Sequence, residues 1–177
     1  MHVTAILQEN KRELTMDNIL TIISAICTLA SIIGAHKSVK YYRKSKQLTI
    51  YANTNVAFIE TQKIISTFTE ILKLSNPAKQ QRGTNLAKQL ETHGESIKTS
   101  INIMREKLSA EDFNDVKKLF SSHEMQVESY IDSFISGTVL IQGRLEIDEK
   151  FNSCQQIFYD IQQLLKKKIE TVEKNLS

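Results

Sequence analysis

The residue types that usually carry chemistry are present but do not converge. His2, His36, His93 and His123 are scattered, and neither they nor the two cysteines stand at zinc-ligand spacing. Cys27 sits in an apolar run and Cys154 in a helical pattern, so both read as free thiols and not as a disulfide framework. There is no glycine-rich phosphate loop, no HExxH and no nucleophile elbow. Glu111-Asp112, Glu146 and Asp148-Glu149 read as solvated helix faces, and His93 and His123 as packing or surface histidines. Lys166, Lys167 and Lys168 with Lys174 could meet nucleic acid or lipid, against the plainer reading of a solvated helix end. No catalytic residue, metal, cofactor or small-molecule substrate is therefore expected.

A different set of residues is organised. Thr21, Ser24, Thr28, Ser31 and Ala35 recur at spacings of three and four, one stripe of small, weakly polar side chains on a helix otherwise rich in Ile and Leu. Ala30 and Gly34 offer a second close approach. In lipid such a stripe marks either helix–helix contact within a homo-oligomer or the lining of an aqueous lumen. The competing explanation is that Ser and Thr simply bond their own i−4 carbonyls.

The element that must present this stripe is apolar. Ile19 to Ala35 is 17 residues without a charge, about 25 Å of helix and near the lower limit for a bilayer span. Val39, Tyr41 and Tyr42 can extend it, with His36 and Lys37 snorkelling. Upstream, Glu9, Lys11, Arg12, Glu13 and Asp17 sum to −1; downstream, Lys37, Lys40, Arg43, Lys44 and Lys46 are five cations with no acid among them. The positive-inside rule then puts the amino terminus outside and the carboxyl-terminal body in the cytoplasm. The same five cations suit anionic headgroups or another partner surface. A cleaved signal peptide ending at Ala35 fits poorly with the long acidic lead and the dense basic block that follows. A core helix of a soluble protein would have to hide every face. A single-pass anchor is the favoured reading.

Composition supports a helical remainder. Only five Gly and one Pro occur in 177 residues, far too few turn formers for a sandwich, a propeller or a dinucleotide-binding domain. The net charge of +3 is a local matter, since the juxtamembrane block exceeds it. The expected organisation is a short segment 1–17, a transmembrane helix 18–36, a basic segment 37–47 and a body 48–177.

The body reads as an antiparallel four-helix bundle. A first helix over about 48–74 turns Val56, Ile59, Ile64, Phe68 and Leu72 inward and stops at Asn76-Pro77. It is expected to be nearly continuous with the span. A second, over about 84–108, carries Leu86, Leu90, Ile97, Ile101, Met104 and Leu108, with Gly94 where the stripe needs a residue. Ser109 to Asp112 is a capping-box variant opening a third helix with Phe113, Val116, Phe120, Val127, Tyr130, Ile131 and Phe134, ended by Gly137. A fourth, over about 139–176, carries Ile147, Phe151, Cys154, Phe158, Ile161, Leu165, Val172 and Leu176, with an irregular turn near Gly143.

This tally of parts resembles the small membrane accessory protein that accompanies the RNA-guided RNase of type VI-B CRISPR systems. The resemblance covers the whole chain: its size, the anchor at Ile19–Ala35, the basic block at Lys37–Lys46 and the helical body. It implies a HEPN-like bundle, assembly into a membrane pore that strengthens antiphage defence, and coupling to the RNase or its RNA. HEPN ribonucleases carry an arginine followed after four to six residues by a histidine. None of Arg12, Arg43, Arg82, Arg105 and Arg144 is so followed; Arg82 and His93 have ten residues between them. The resemblance therefore implies a membrane-acting role without RNA cleavage. Two alternatives remain beside it, a membrane effector triggered by a nucleotide messenger and a membrane-tethering adaptor without channel activity.

Overall fold

The computed structural model describes residues 2–76, 85–121 and 126–176, with side chains from Leu20 onward. The chain divides into two units, Met1–Lys46 and Gln47–Ser177. Helix α1 (His2–Leu74) contributes to both, so span, basic block and first body helix are one uninterrupted element, with no proline before Pro77 to break it.

In the first unit every side chain from Leu20 to Lys46 is exposed. Ile22, Ile26, Leu29 and Ile32 stand bare, and the reading of a buried core helix has no counterpart in the fold. Among the described residues this is the one helix long and apolar enough to cross a membrane, with a mean hydropathy of 1.5.

The second unit is built from the remainder of α1 with α2 (Leu86–Lys107), α3 (Ala110–Phe120), α4 (Val127–Ile135) and α5 (Glu149–Leu176). A two-residue hairpin, β1 (Leu140–Ile141) and β2 (Arg144–Leu145), pairs antiparallel ahead of α5. Among the described residues the chain is thus all-α apart from that hairpin. Antiparallel packing follows from the contacts. Tyr51 meets Glu173 while Phe68 meets Phe151 and Phe158, so α1 and α5 run oppositely. Lys98 pairs with Asp132 and Arg105 with Glu128, so α2 and α4 do the same.

Phe68 is the hub of the core. Its ring lies edge-on to Phe134 and Phe151, at centroid distances of 6.3 and 5.3 Å, and tilted against Phe158 at 5.7 Å. Ile64, Leu90, Ile97, Met104, Ile131, Ile157 and Ile161 close round it. Gly94 is buried against Phe134 and Ile135, so the gap in the α2 stripe admits the α4 backbone. The Ser109 hydroxyl accepts the Asp112 N–H at 3.1 Å and starts α3 as a capping residue.

Three expectations are corrected. The third helix is two: α3 ends at Phe120, capped by Ser121, and α4 begins at Val127. A continuous helix would carry His123 or Glu124 into the next inward slot after Phe120; His123 itself, like Pro77 and Arg82, lies outside the described residues. The fourth helix starts at Glu149, ten residues later than expected. Gln142 and Gly143 take φ of 51° and 75°, the paired left-handed geometry of a tight hairpin turn that no helix accommodates. Asp148 then caps α5, accepting the Phe151 N–H at 2.8 Å. Finally, Ile59 and Leu72 face outward, 49% and 44% exposed. The inward face of α1 is Thr54, Ala57, Thr61, Ile64, Phe68 and Ile71. Its polar members conceal it from a reading by hydropathy, because each threonine hydroxyl is satisfied by its own helix, Thr54 on Ile50 and Thr61 on Ala57.

Candidate functional site

The organised surface is α1 in the first unit. A regular helix carries Thr21, Ser24, Thr28, Ser31 and Ala35 along one side, all exposed. Thr21, Ser24 and Thr28, with Leu20, Ala25 and Leu29, line a shallow groove along the helix. The Thr28 hydroxyl donates to the Ser24 carbonyl at 2.9 Å and the Ser31 hydroxyl to that of Cys27 at 2.8 Å. Their donors are thus satisfied in apolar surroundings, while each hydroxyl oxygen still presents lone pairs outward.

Lys37, Lys40, Arg43, Lys44 and Lys46 follow on the same helix, all exposed. No described carboxylate forms an ion pair with any of them. The body differs. Lys63 pairs with Glu60, Lys98 with Asp132, Arg105 with Glu128 and Lys118 with Asp115, and Lys168 bridges Asp112 and Asp115. These body cations meet carboxylates of the chain, whereas Lys88, Arg144, Lys150, Lys166 and Lys167, like the five beside the span, stand in no described ion pair.

No protein-family model matches this chain, and no curated protein or solved structure is significantly similar to it. No known fold therefore points to a HEPN-like body.

Two hydrogen-bonded groups of the body are not evident from residue spacing. Glu60 is 5% exposed. It accepts from the Ser100 hydroxyl at 2.7 Å on one oxygen and from Lys63 Nζ at 2.5 Å on the other. Burial alone would raise its pKa, but the hydrogen bonds from Lys63 and Ser100 outweigh that and hold the carboxyl below its ordinary value. The only sequence signal was its place one residue before Thr61 on the concealed inward face. The second feature is the half-buried Tyr130, whose hydroxyl donates to Asp148 at 3.1 Å; burial first, then the Asp148 charge, pushes its pKa up. Both belong to the packing of the helices. Among the described residues no group of three or more His, Cys, Asp and Glu is placed to hold a metal ion. His93 is half-buried on α2, and Cys154 is fully buried in the core, where burial pushes its thiol up to about 12.

Proposed function

We propose that the protein is a single-pass, homo-oligomeric membrane pore or depolarising effector that strengthens RNA-guided antiphage defence. The observation that carries this reading is the uncharged, fully exposed helix with one hydroxyl-bearing side at Thr21, Ser24, Thr28 and Ser31. A ring of such helices puts its Ile and Leu sides to lipid and its hydroxyl sides to neighbouring copies or to water, without an unpaired charge in hydrocarbon. Apolar side chains between the hydroxyl rings close a narrow lumen by dewetting, so a resting ring need not leak. Five cations immediately after the span orient the body to the cytoplasm. The link to an RNA-guided RNase, and the description of the body as HEPN-like without a ribonuclease pair, come from the resemblance of the whole chain.

The test is membrane potential in cells carrying the full defence system and its target, comparing the intact chain with one lacking residues 16–35. Depolarisation only with the intact chain is expected; equal depolarisation in both removes the pore.

One observation favours a second reading, a tethering adaptor. Thr28 and Ser31 already spend their protons on their own helix, and a lone span so satisfied needs neither lumen nor neighbour. Size measurement in detergent separates the two: a ring supports the pore, a monomer the tether.

A further inference from the structure

The unpaired cations beside the span have a direction as well as a charge. Helix α1 is unbroken through the first unit, so the rotational positions of the stripe and the basic block are linked. At about 100° per residue, Lys37, Lys40 and Lys44 lie about 140–180° round the helix from the centre of the Thr21–Ala35 stripe, and Arg43 about 80° from it. Lys46 falls on the stripe's side and stands apart from the four. Ser38 and Tyr42 continue the stripe's side through the block.

We infer that Lys37, Lys40 and Lys44, with Arg43 at their edge, form a contact for anionic phospholipid headgroups on the outward flank of the assembly, and not a cationic collar round its mouth. This rests on the reading above, in which the stripe faces a neighbouring copy or the lumen. A side chain opposite that stripe then faces the surrounding bilayer.

Three observations choose the phosphate of lipid. No acid occurs between Asp17 and Glu60, so the helix itself offers no counter-ion. All four side chains are exposed and outside every ion pair described. Their depth is also right. Lys37 follows Ala35 by two residues and Lys44 by nine, about 3 and 14 Å along the axis. Lys37 and Lys40 therefore stand at headgroup level, and the long stems of Arg43 and Lys44 reach back to it. An RNA strand would have to compete for these cations with the headgroup phosphates that the span already sets beside them.

The chain contains no Trp, so one introduced Trp reports alone. His36→Trp lies on the cationic flank and Ser38→Trp on the stripe's side. Each full-length variant is placed in phosphatidylcholine vesicles containing phosphatidylglycerol, with bromine on one lipid or the other. Quenching of His36→Trp is expected to exceed that of Ser38→Trp at least twofold. It should also report phosphatidylglycerol enriched on the order of fivefold over its bulk fraction. Replacing Lys37, Lys40, Arg43 and Lys44 with Gln should abolish the enrichment and leave the difference between the two positions. Equal quenching at the two positions by either lipid overturns the stripe reading and this inference with it. Unequal quenching without enrichment overturns the lipid contact alone. Enrichment abolished by added RNA oligonucleotide also overturns it, in favour of RNA.

Discussion

A Cβ on Gly94 would lie 2.7 Å from Cγ1 of Ile135, and 3.2 Å from both the Ile135 nitrogen and the Phe134 Cβ. The α4 backbone thus crosses α2 at a distance that only glycine permits. Gly94→Ala gains helix propensity of about 1 kcal/mol, because Ala loses less backbone entropy. It must also displace the Ile135 side chain and crowd the Ile135 nitrogen, and overpacking of this kind costs about 1–3 kcal/mol. The variant is expected to be less stable on balance by about 1 kcal/mol, read as a lower urea midpoint of the full chain in detergent. An unchanged or higher midpoint would show that α4 yields.

Glu60 links stability to acid. Its folded-state pKa lies below the ordinary 4.5. Its contribution is therefore complete above that value and is lost as pH falls through the folded value. Glu60→Gln should cost about 1–3 kcal/mol at pH 7 and flatten the decline of stability below about pH 4.5. Urea unfolding at pH 7 and pH 4 checks both, and parallel acid limbs would refute the linkage.

The hairpin holds a non-glycine residue at positive φ. Gln142 stands at 51° beside Gly143 at 75°. Gln142→Gly should stabilise the protein by about 0.5–1 kcal/mol by relieving that conformation. Gly143→Ala should destabilise by about 1 kcal/mol through backbone strain alone, since nothing lies within 4 Å of an added Cβ. Thermal midpoints moving in opposite directions are the expected pair of results.

The two sides of the span can be told apart by thiol chemistry. Ser24 lies on the stripe and Ile26 about 160° round the helix from it. In a Cys27→Ala background, a charged thiosulfonate reagent should reduce current through Ser24→Cys channels severalfold and leave Ile26→Cys channels unaffected. Cys154 stays silent, being fully buried with its thiol pushed up to about 12. Block at both positions, or at neither, would contradict a lumen on the stripe's side.

Much of the architecture can be read from the chain by itself. Seventeen uncharged residues followed by five cations specify a membrane-length helix and suggest its orientation, because transfer of charge into hydrocarbon is costly wherever the rest of the protein lies. The inward faces of α2 and α5, and the Ser109 cap, are likewise local patterns of spacing and short-range hydrogen bonding. Tertiary structure alone decided the rest. The inward face of α1 runs through Thr54 and Thr61 and past Glu60, whose burial is tolerable only because each polar group finds a bond, Glu60 partly from Ser100 on another helix. The break between α3 and α4 depends on which positions the other helices leave room to bury, while the hairpin before α5 turns on the left-handed pair Gln142 and Gly143. The bearing of the basic face relative to the stripe needed the continuity of α1, since a single bend at residues 36–40 would have turned those cations elsewhere.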